Sequence, residues 1–187
     1  MRIIAGKNKG RRLAAVGKGD VAAHLRPTTD RVRETLFNIL GGGRFGDVIT
    51  GARVLDMFAG TGALGLEALS RGATHASFLE TGRKATAILT ENIRICGAAD
   101  QCSVQKRDAT RLAACPTAPY DLVFLDPPYS KALGEKAVQT ALDGDWIAEN
   151  GVVVWEEAAS VSVPAAFDIL DERAMGGTNV TFLRRIG

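Results

Sequence analysis

Val54-Leu55-Asp56-Met57-Phe58-Ala59-Gly60-Thr61-Gly62-Ala63-Leu64-Gly65 passes from a short apolar run, through a glycine turn, into a helix-like pattern. The apolar run is strand length and ends at glycines, which fits a buried strand delivering its C-terminal end to a site. The stretch matches G-x-G-x-x-G, and Glu80 lies 20 residues beyond Gly60 at the end of the next strand-like run. Read mechanically, this is a dinucleotide fingerprint, with the acid gripping a ribose hydroxyl. Glycines also let any adenosine-containing ligand approach the backbone, with or without a pyrophosphate. Outward from this loop, strand-like runs fall at 53–57, 75–79, 102–106, 120–125 and 151–156, and helix-like runs at 63–71, 83–97 and 131–142. In the second helix Ala85, Ile88, Leu89, Ile93 and Cys96 share a stripe. Such alternation predicts an α/β, Rossmann-like architecture whose parallel sheet is covered on both faces. Two last runs, 166–173 and 179–186, are joined by Met175-Gly176-Gly177-Thr178. They predict a hairpin, making a seven-stranded, mostly parallel sheet with an antiparallel C-terminal strand.

The first 44 residues differ in character. They carry ten Lys/Arg against three Asp/Glu, whereas the remaining 143 residues carry 13 against 18. A basic arm on a mildly acidic body points either to a polyanionic partner or to a solvated terminus. Residues 2–5 and 11–14 read as a small β-hairpin turning through Gly6 and Gly10, and 15–25 as a Gly- and Ala-rich loop. Residues 1–25 are therefore taken as an N-terminal arm and 26–187 as the main domain. Thr29 or Asp30 caps a helix in which Val32, Leu36, Ile39 and Leu40 share a face, and Gly41-Gly42-Gly43 ends it. Three cysteines without a CxxC pair and two histidines support neither a disulfide framework nor a metal site. No stretch approaches the about 18 consecutive apolar residues of a membrane span, and no signal peptide is evident. The expectation is a cytoplasmic monomer.

The chemistry concentrates in a second stretch, Asp121-Leu122-Val123-Phe124-Leu125-Asp126-Pro127-Pro128-Tyr129. Proline fixes φ and pushes the residue before it towards extended conformations. Asp126 and Pro127 both precede a proline, so the turn is stiff. It either holds the Asp126 carboxylate and Pro127 carbonyl outward as paired acceptors, with Tyr129 as a flat wall, or is a plain strand-to-helix corner. Paired acceptors beside a ring suit the exocyclic amine of a planar base. Asp56, just before the glycine turn, would repel a pyrophosphate but can bond an ammonium. A ligand with adenine, ribose, a sulfonium and an amino-acid tail satisfies both stretches: S-adenosylmethionine. Glu80 then takes the ribose hydroxyls and Asp108 the adenine amine, with Phe58, Ala59, Gly60, Thr61, Gly62 and Ala109 lining the site. The competing reading of Asp56, Glu80 and Asp108 is capping or solvation.

Three stretches carry a resemblance to a known family. They are Met1-Arg-Ile-Ile-Ala-Gly-Lys7 with Gly10-Arg-Arg-Leu13, Leu25-Arg-Pro-Thr-Thr-Asp-Arg-Val-Arg-Glu-Thr-Leu-Phe-Asn-Ile-Leu40, and the pair Asp56-Met-Phe-Ala-Gly-Thr-Gly62 with Asp126-Pro-Pro-Tyr129. With the closing Gly177-Thr178-x-Val180, the chain resembles, nearly end to end, the bacterial 16S rRNA guanine-N2 methyltransferases of the RsmD family, class I methyltransferases with an Asp-Pro-Pro-Tyr motif. Near Asn8 it departs, where relatives often carry an aromatic residue. The resemblance implies methyl transfer from S-adenosylmethionine to the N2 amine of a guanine in 16S rRNA, within the small ribosomal subunit. Asp126, Pro127, Pro128 and Tyr129 would be catalytic, no metal would be needed, and Thr28 with Arg31 would line the cofactor's methionine end. Arg2, Lys7, Lys9, Arg11, Arg12 and Arg26 would grip RNA phosphates, while Arg31 and Arg33 either join them or are ordinary helix-surface charge. An adenine-N6 DNA methyltransferase shares the same acceptor turn, and a nicotinamide-dependent oxidoreductase shares the glycine loop.

Overall fold

The structure, a computed structural model, describes residues 1–15, 29–128 and 133–187. Seven strands form one sheet: β1 (Arg53–Asp56), β2 (His75–Leu79), β3 (Cys102–Gln105), β4 (Tyr120–Leu125), β5 (Ile147–Glu157), β6 (Phe167–Met175) and β7 (Thr178–Arg185). Their order is β3-β2-β1-β4-β5-β7-β6. β1 to β5 pair in parallel, and β7 runs antiparallel to both β5 and β6. The expected mostly parallel sheet with its C-terminal hairpin is therefore what forms. Gly176 and Gly177, both at positive φ, make the two-residue turn of that hairpin.

Alternation along the strands divides the core. Val54, Leu122, Phe124, Val152 and Val154 face one side, with α1 (Asp30–Gly41), α2 (Ala63–Ser70) and α3 (Arg83–Cys96). Leu55, Val123, Leu125, Val153 and Trp155 face the other, with α4 (Leu133–Asp143) supplying Ala137, Val138 and Ala141. With both faces covered, these strands read as unbroken apolar runs. Gly65 allows α2 to lie against β2, since a Cβ there would sit 2.4 Å from the Phe78 ring. After β3 the chain returns to the far side of β1 to form β4. Strand order reverses there, the place where open α/β sheets take their ligands beyond the carboxyl ends of the strands.

Two helix faces differ from the sequence pattern. In α1 the buried positions are Arg33, Leu36, Phe37 and Leu40, with Val32 and Ile39 only half-buried. Arg33 is thus interior rather than surface charge, its guanidinium donating to the Arg2 carbonyl and pairing with Asp30 at 2.9 Å. In α3 the stripe includes Asn92, which is fully buried, while Ile88 is half-buried. Thr29 caps α1 as expected, accepting from Val32 N.

The hairpin expected of residues 2–14 takes a smaller form. It amounts to one antiparallel bridge, Arg2 to Arg12, with no strand around it. These residues are bound to the body. The fully buried Glu67 carboxylate accepts from Ile4 N at 2.7 Å, Ala5 N at 3.0 Å and Arg71 Nε at 2.7 Å. Asn8 N–H donates to Ser70 Oγ, and Asn8 Nδ2 to the Cys96 carbonyl. Gly6, at φ +78, passes so close to Ser70 that a Cβ would meet its carbonyl oxygen at 1.7 Å. The expected boundary at residue 25 lies outside the described residues. Among the described residues no helix is long and apolar enough to cross a membrane.

Candidate active site

Parallel register places three carboxyl-bearing strand ends side by side. Asp56 ends β1 opposite Phe124 of β4, and Asp126 follows two residues later. Leu125 pairs with Trp155 on β5, so Glu156 comes level with Asp126. Asp56 is buried, and its Oδ2 accepts from Gly65 N at 3.2 Å in the first turn of α2. Burial pushes its carboxyl up to about 7, against the lowering effect of that hydrogen bond and with a further push from Glu80. Asp126, half-buried at the end of β4, is held well above the usual carboxylate range by burial first, then by Glu156, Asp56 and Glu157. Glu157 is also raised, by burial, against a hydrogen bond from Ala158 N and with a push from Glu135 on α4. Pro127 is buried and Pro128 exposed.

The glycine turn is built from both sides. Gly60 and Gly62 stand at φ +53 and +76, and a Cβ on Gly62 would meet Leu89 Cδ1 at 2.3 Å. Ala59 N–H donates to the Leu79 carbonyl, and Asn92 Nδ2 donates to the Thr61 carbonyl at 2.8 Å. Glu80 spans the turn and the next helix: its Oε2 accepts from Gly60 N at 2.8 Å, and its Oε1 from Gly82 N at 2.6 Å. Each carboxylate oxygen keeps a further lone pair, so Glu80 can hold the turn and still accept a hydroxyl. Phe58 is half-buried and Ala109 buried.

Asp108 is largely committed locally. Its Oδ1 accepts from Thr110 Oγ1 at 2.7 Å and Thr110 N at 2.9 Å, and its other oxygen lies 3.8 Å from Arg111 Nε. Those Thr110 bonds, the side-chain one foremost, hold its carboxyl below the usual range. It is exposed.

The candidate residues thus divide. Asp56, Phe58, Ala59, Gly60, Thr61, Gly62, Glu80 and Asp126 come from the glycine turn and the carboxyl ends of β1, β2 and β4, which are neighbours in the sheet. Thr28, Arg26 and Tyr129 lie outside the described residues. Of the basic set, Arg2 pairs with Asp30, Lys7 Nζ donates to Gln101 Oε1 and Arg11 donates to the Ile95 carbonyl, while Lys9 and Arg12 are exposed. Sequence reading passed over Glu156 and Asn92. Glu156 had a visible signal: like Asp56 and Asp126, it is an acid ending a buried apolar run. Asn92 had none, being one polar residue inside an apolar stripe.

A floor of carboxyl groups opposes a pyrophosphate and favours a ligand carrying positive charge. A glycine turn whose backbone is free of side chains, beside Glu80, fits a ribose. The donor set suits S-adenosylmethionine, whose sulfonium and ammonium are both cationic, better than a nicotinamide dinucleotide.

A family model described as conserved hypothetical protein 95 matches residues 1–184. Ribosomal RNA small subunit methyltransferase D of Escherichia coli (strain K12) is 38% identical over 179 residues, which span 94% of this chain and 85% of that protein. The Haemophilus influenzae protein of the same name is 34% identical over 181 residues, spanning 94% and 89%. The solved structure of yhhF of Escherichia coli, a methyltransferase by name, superposes with a TM-score of 0.85 at 37% identity, covering 100% of this chain and 98% of that one.

Proposed function

Because the chain belongs to the conserved hypothetical protein 95 family, the family of ribosomal RNA small subunit methyltransferase D, we propose that it methylates the N2 amine of a guanine in 16S rRNA, using S-adenosylmethionine, with Asp126 and the Pro127 carbonyl as acceptors for that amine. It is an enzyme, a methyltransferase acting on small-subunit rRNA. One observation carries the finer reading: Asp126 follows β4 at the switch point of the sheet, beside the strand end that bears Asp56 and the glycine turn.

The cofactor would be held by Glu80 at its ribose, by the Gly60-Thr61-Gly62 backbone and by Asp56 towards its amino-acid end. Asp108 and Ala109 would lie at its adenine. Bound there, S-adenosylmethionine supplies a methyl group activated by a neighbouring sulfonium.

An aryl amine is a poor nucleophile because its lone pair is delocalised into the ring. Hydrogen bonds from its two N–H groups to the Asp126 carboxylate and the Pro127 carbonyl favour a pyramidal nitrogen with its lone pair aimed at the methyl. They strengthen as positive charge develops on nitrogen, so they act mainly on the transition state. The stiff Asp-Pro-Pro corner holds these acceptors still, which supplies orientation. Tyr129 would stack on the base, a contact worth roughly 1–3 kcal/mol in single-strand binders. The target must leave any helix to be reached. Lys9 and Arg12, exposed on the N-terminal segment, would meet phosphates, and the assembled small subunit is the substrate that presents the base.

The test is transfer of labelled methyl to unmodified 16S rRNA, free and in 30S particles, with the labelled nucleoside identified by chromatography. N2-methylguanosine is expected. Asp126→Ala should lower turnover by about 10²–10³ while leaving S-adenosylmethionine affinity within a few-fold. Label on adenine, or an Asp126→Ala enzyme that keeps most of its turnover, refutes the assignment.

A further inference from the structure

Asn92 is a fully buried polar residue in the apolar stripe of α3, and its amide joins two segments that lie far apart in the chain. Its Oδ1 accepts from Ala14 N at 2.7 Å, while Nδ2 donates to the Ala14 carbonyl at 3.1 Å and to the Thr61 carbonyl at 2.8 Å. A backbone N–H can only donate and a carbonyl can only accept, so these partners fix which way the amide faces. Both amide hydrogens are then in use. Building on the reading of Lys9 and Arg12 as phosphate contacts, we infer that Asn92 is a positioning residue for the cofactor turn: it couples RNA binding on the N-terminal segment to cofactor binding at Gly60-Thr61-Gly62.

The N-terminal segment is seated on the elements that carry this turn. Gly62 caps α2, and Glu67 and Ser70 of that helix hold Ile4 N, Ala5 N and Asn8 N. Both ends of the segment converge on Thr61. Met1 Sδ lies 3.7 Å from its Oγ1, and Ala14 reaches its carbonyl through Asn92. Leu13 N ties the two ends together by donating to the Met1 carbonyl at 3.2 Å. Lys9 and Arg12 are exposed on the same segment.

Two arrangements follow. With Ala14 in place, the amide is oriented and the Thr61 carbonyl is held. With Ala14 withdrawn, the amide keeps only its bond to Thr61 and is free to turn, and a buried amide short of partners is costly. RNA phosphates on Lys9 and Arg12 favour the seated segment. A cofactor lying on the backbone of the turn favours the held turn. Each ligand therefore biases the same element, and linkage makes the effect reciprocal.

The probe is tritium-labelled S-adenosylhomocysteine, the cofactor without its methyl group, which cannot turn over. It is dialysed to equilibrium against the full-length protein, alone and with saturating unmodified 30S particles. The parent should bind it about tenfold more tightly when 30S is present, a coupling of about 1.4 kcal/mol. Asn92→Leu, close in volume and without polar side-chain atoms, should abolish that difference. Asn92→Asp, which keeps the acceptor for Ala14 N and loses the donor to Thr61, should do the same. A role in stability alone changes the number of binding sites, or both affinities together, and leaves their ratio intact. Lys9→Ala with Arg12→Ala, both at exposed positions, keeps the test decisive if the Asn92 variants fail to fold, and should also reduce the ratio at saturating 30S. Absence of coupling in the parent, or full coupling retained in any of these variants, overturns the proposal. Methyl transfer to 30S by the parent, run alongside, separates the two readings: N2-methylguanosine formed without coupling removes Asn92 alone, whereas no transfer to rRNA removes the function on which it rests.

Discussion

Replacing Asp56 by asparagine isolates what a buried carboxylate costs this fold as pH rises. Asp56 is buried, and desolvation sets its ionisation near pH 7 against 3.8 for a free aspartate. The folded protein therefore binds this proton more tightly than the unfolded chain. Stability from the neutral carboxyl is fully present below about pH 4 and declines between about pH 4 and 7. Above that it stays flat, because both states are then ionised. A shift of about three units corresponds to roughly 4 kcal/mol at 1.36 kcal/mol per unit. Asparagine fills nearly the same volume, keeps an acceptor for Gly65 N and cannot ionise. The unfolding free energy of parent minus variant, from urea titrations at each pH, should therefore fall by about 4 kcal/mol between pH 4 and 8. Other carboxylates titrate in both proteins and cancel. Binding of a cationic cofactor should pull Asp56 towards its ionised form and release a proton near pH 6, seen as buffer-dependent calorimetric heats in the parent and not in the variant. Parallel stability curves across this range would refute the reasoning.

Other perturbations test separate parts of the molecule. Glu80→Ala removes the carboxylate that holds Gly60 N and Gly82 N; cofactor affinity by calorimetry should drop at least about tenfold, near 1.4 kcal/mol, and unchanged affinity would remove Glu80 from the site. Glu67→Gln leaves the Ile4 and Ala5 amides and Arg71 to share one neutral acceptor; a loss of about 2–4 kcal/mol and early proteolysis within the first 15 residues are expected, whereas an unchanged melting temperature would contradict the docking. For Lys9→Ala with Arg12→Ala, the slope of log affinity for rRNA against log salt should shrink by about 0.7 per lost phosphate contact, with kcat unaltered at saturating RNA. An unchanged slope would place the RNA elsewhere.

Strand runs and helix alternation were legible because period and punctuation are local, whereas the order of the strands in the sheet came only with the structure. Apolar runs such as 122–125 and 152–155, buried on both faces, announce a parallel sheet wherever they are met. Gly176-Gly177 announces its hairpin for the same reason, since few other residues accept two successive positive φ values. Polar residues that act inside the core were not legible. Arg33 looks like surface charge because its partners, the Arg2 carbonyl and Asp30, include one 31 residues away. Asn92 breaks an apolar stripe in α3 because it satisfies the Ala14 amide and the Thr61 carbonyl, from two distant segments.

The same division runs through the site. Asp126-Pro127-Pro128 and Gly60-Thr61-Gly62 declare themselves because each demands an unusual backbone, and proline and glycine are the residues that supply it. Whether their carboxylates carry charge was decided only by the fold. Parallel pairing sets Asp56, Asp126 and Glu156 on neighbouring strand ends, where burial and the neighbouring carboxyl groups raise the cost of ionising Asp126. Desolvation and like-charge repulsion depend on what surrounds a group in space, and chain order does not carry that information.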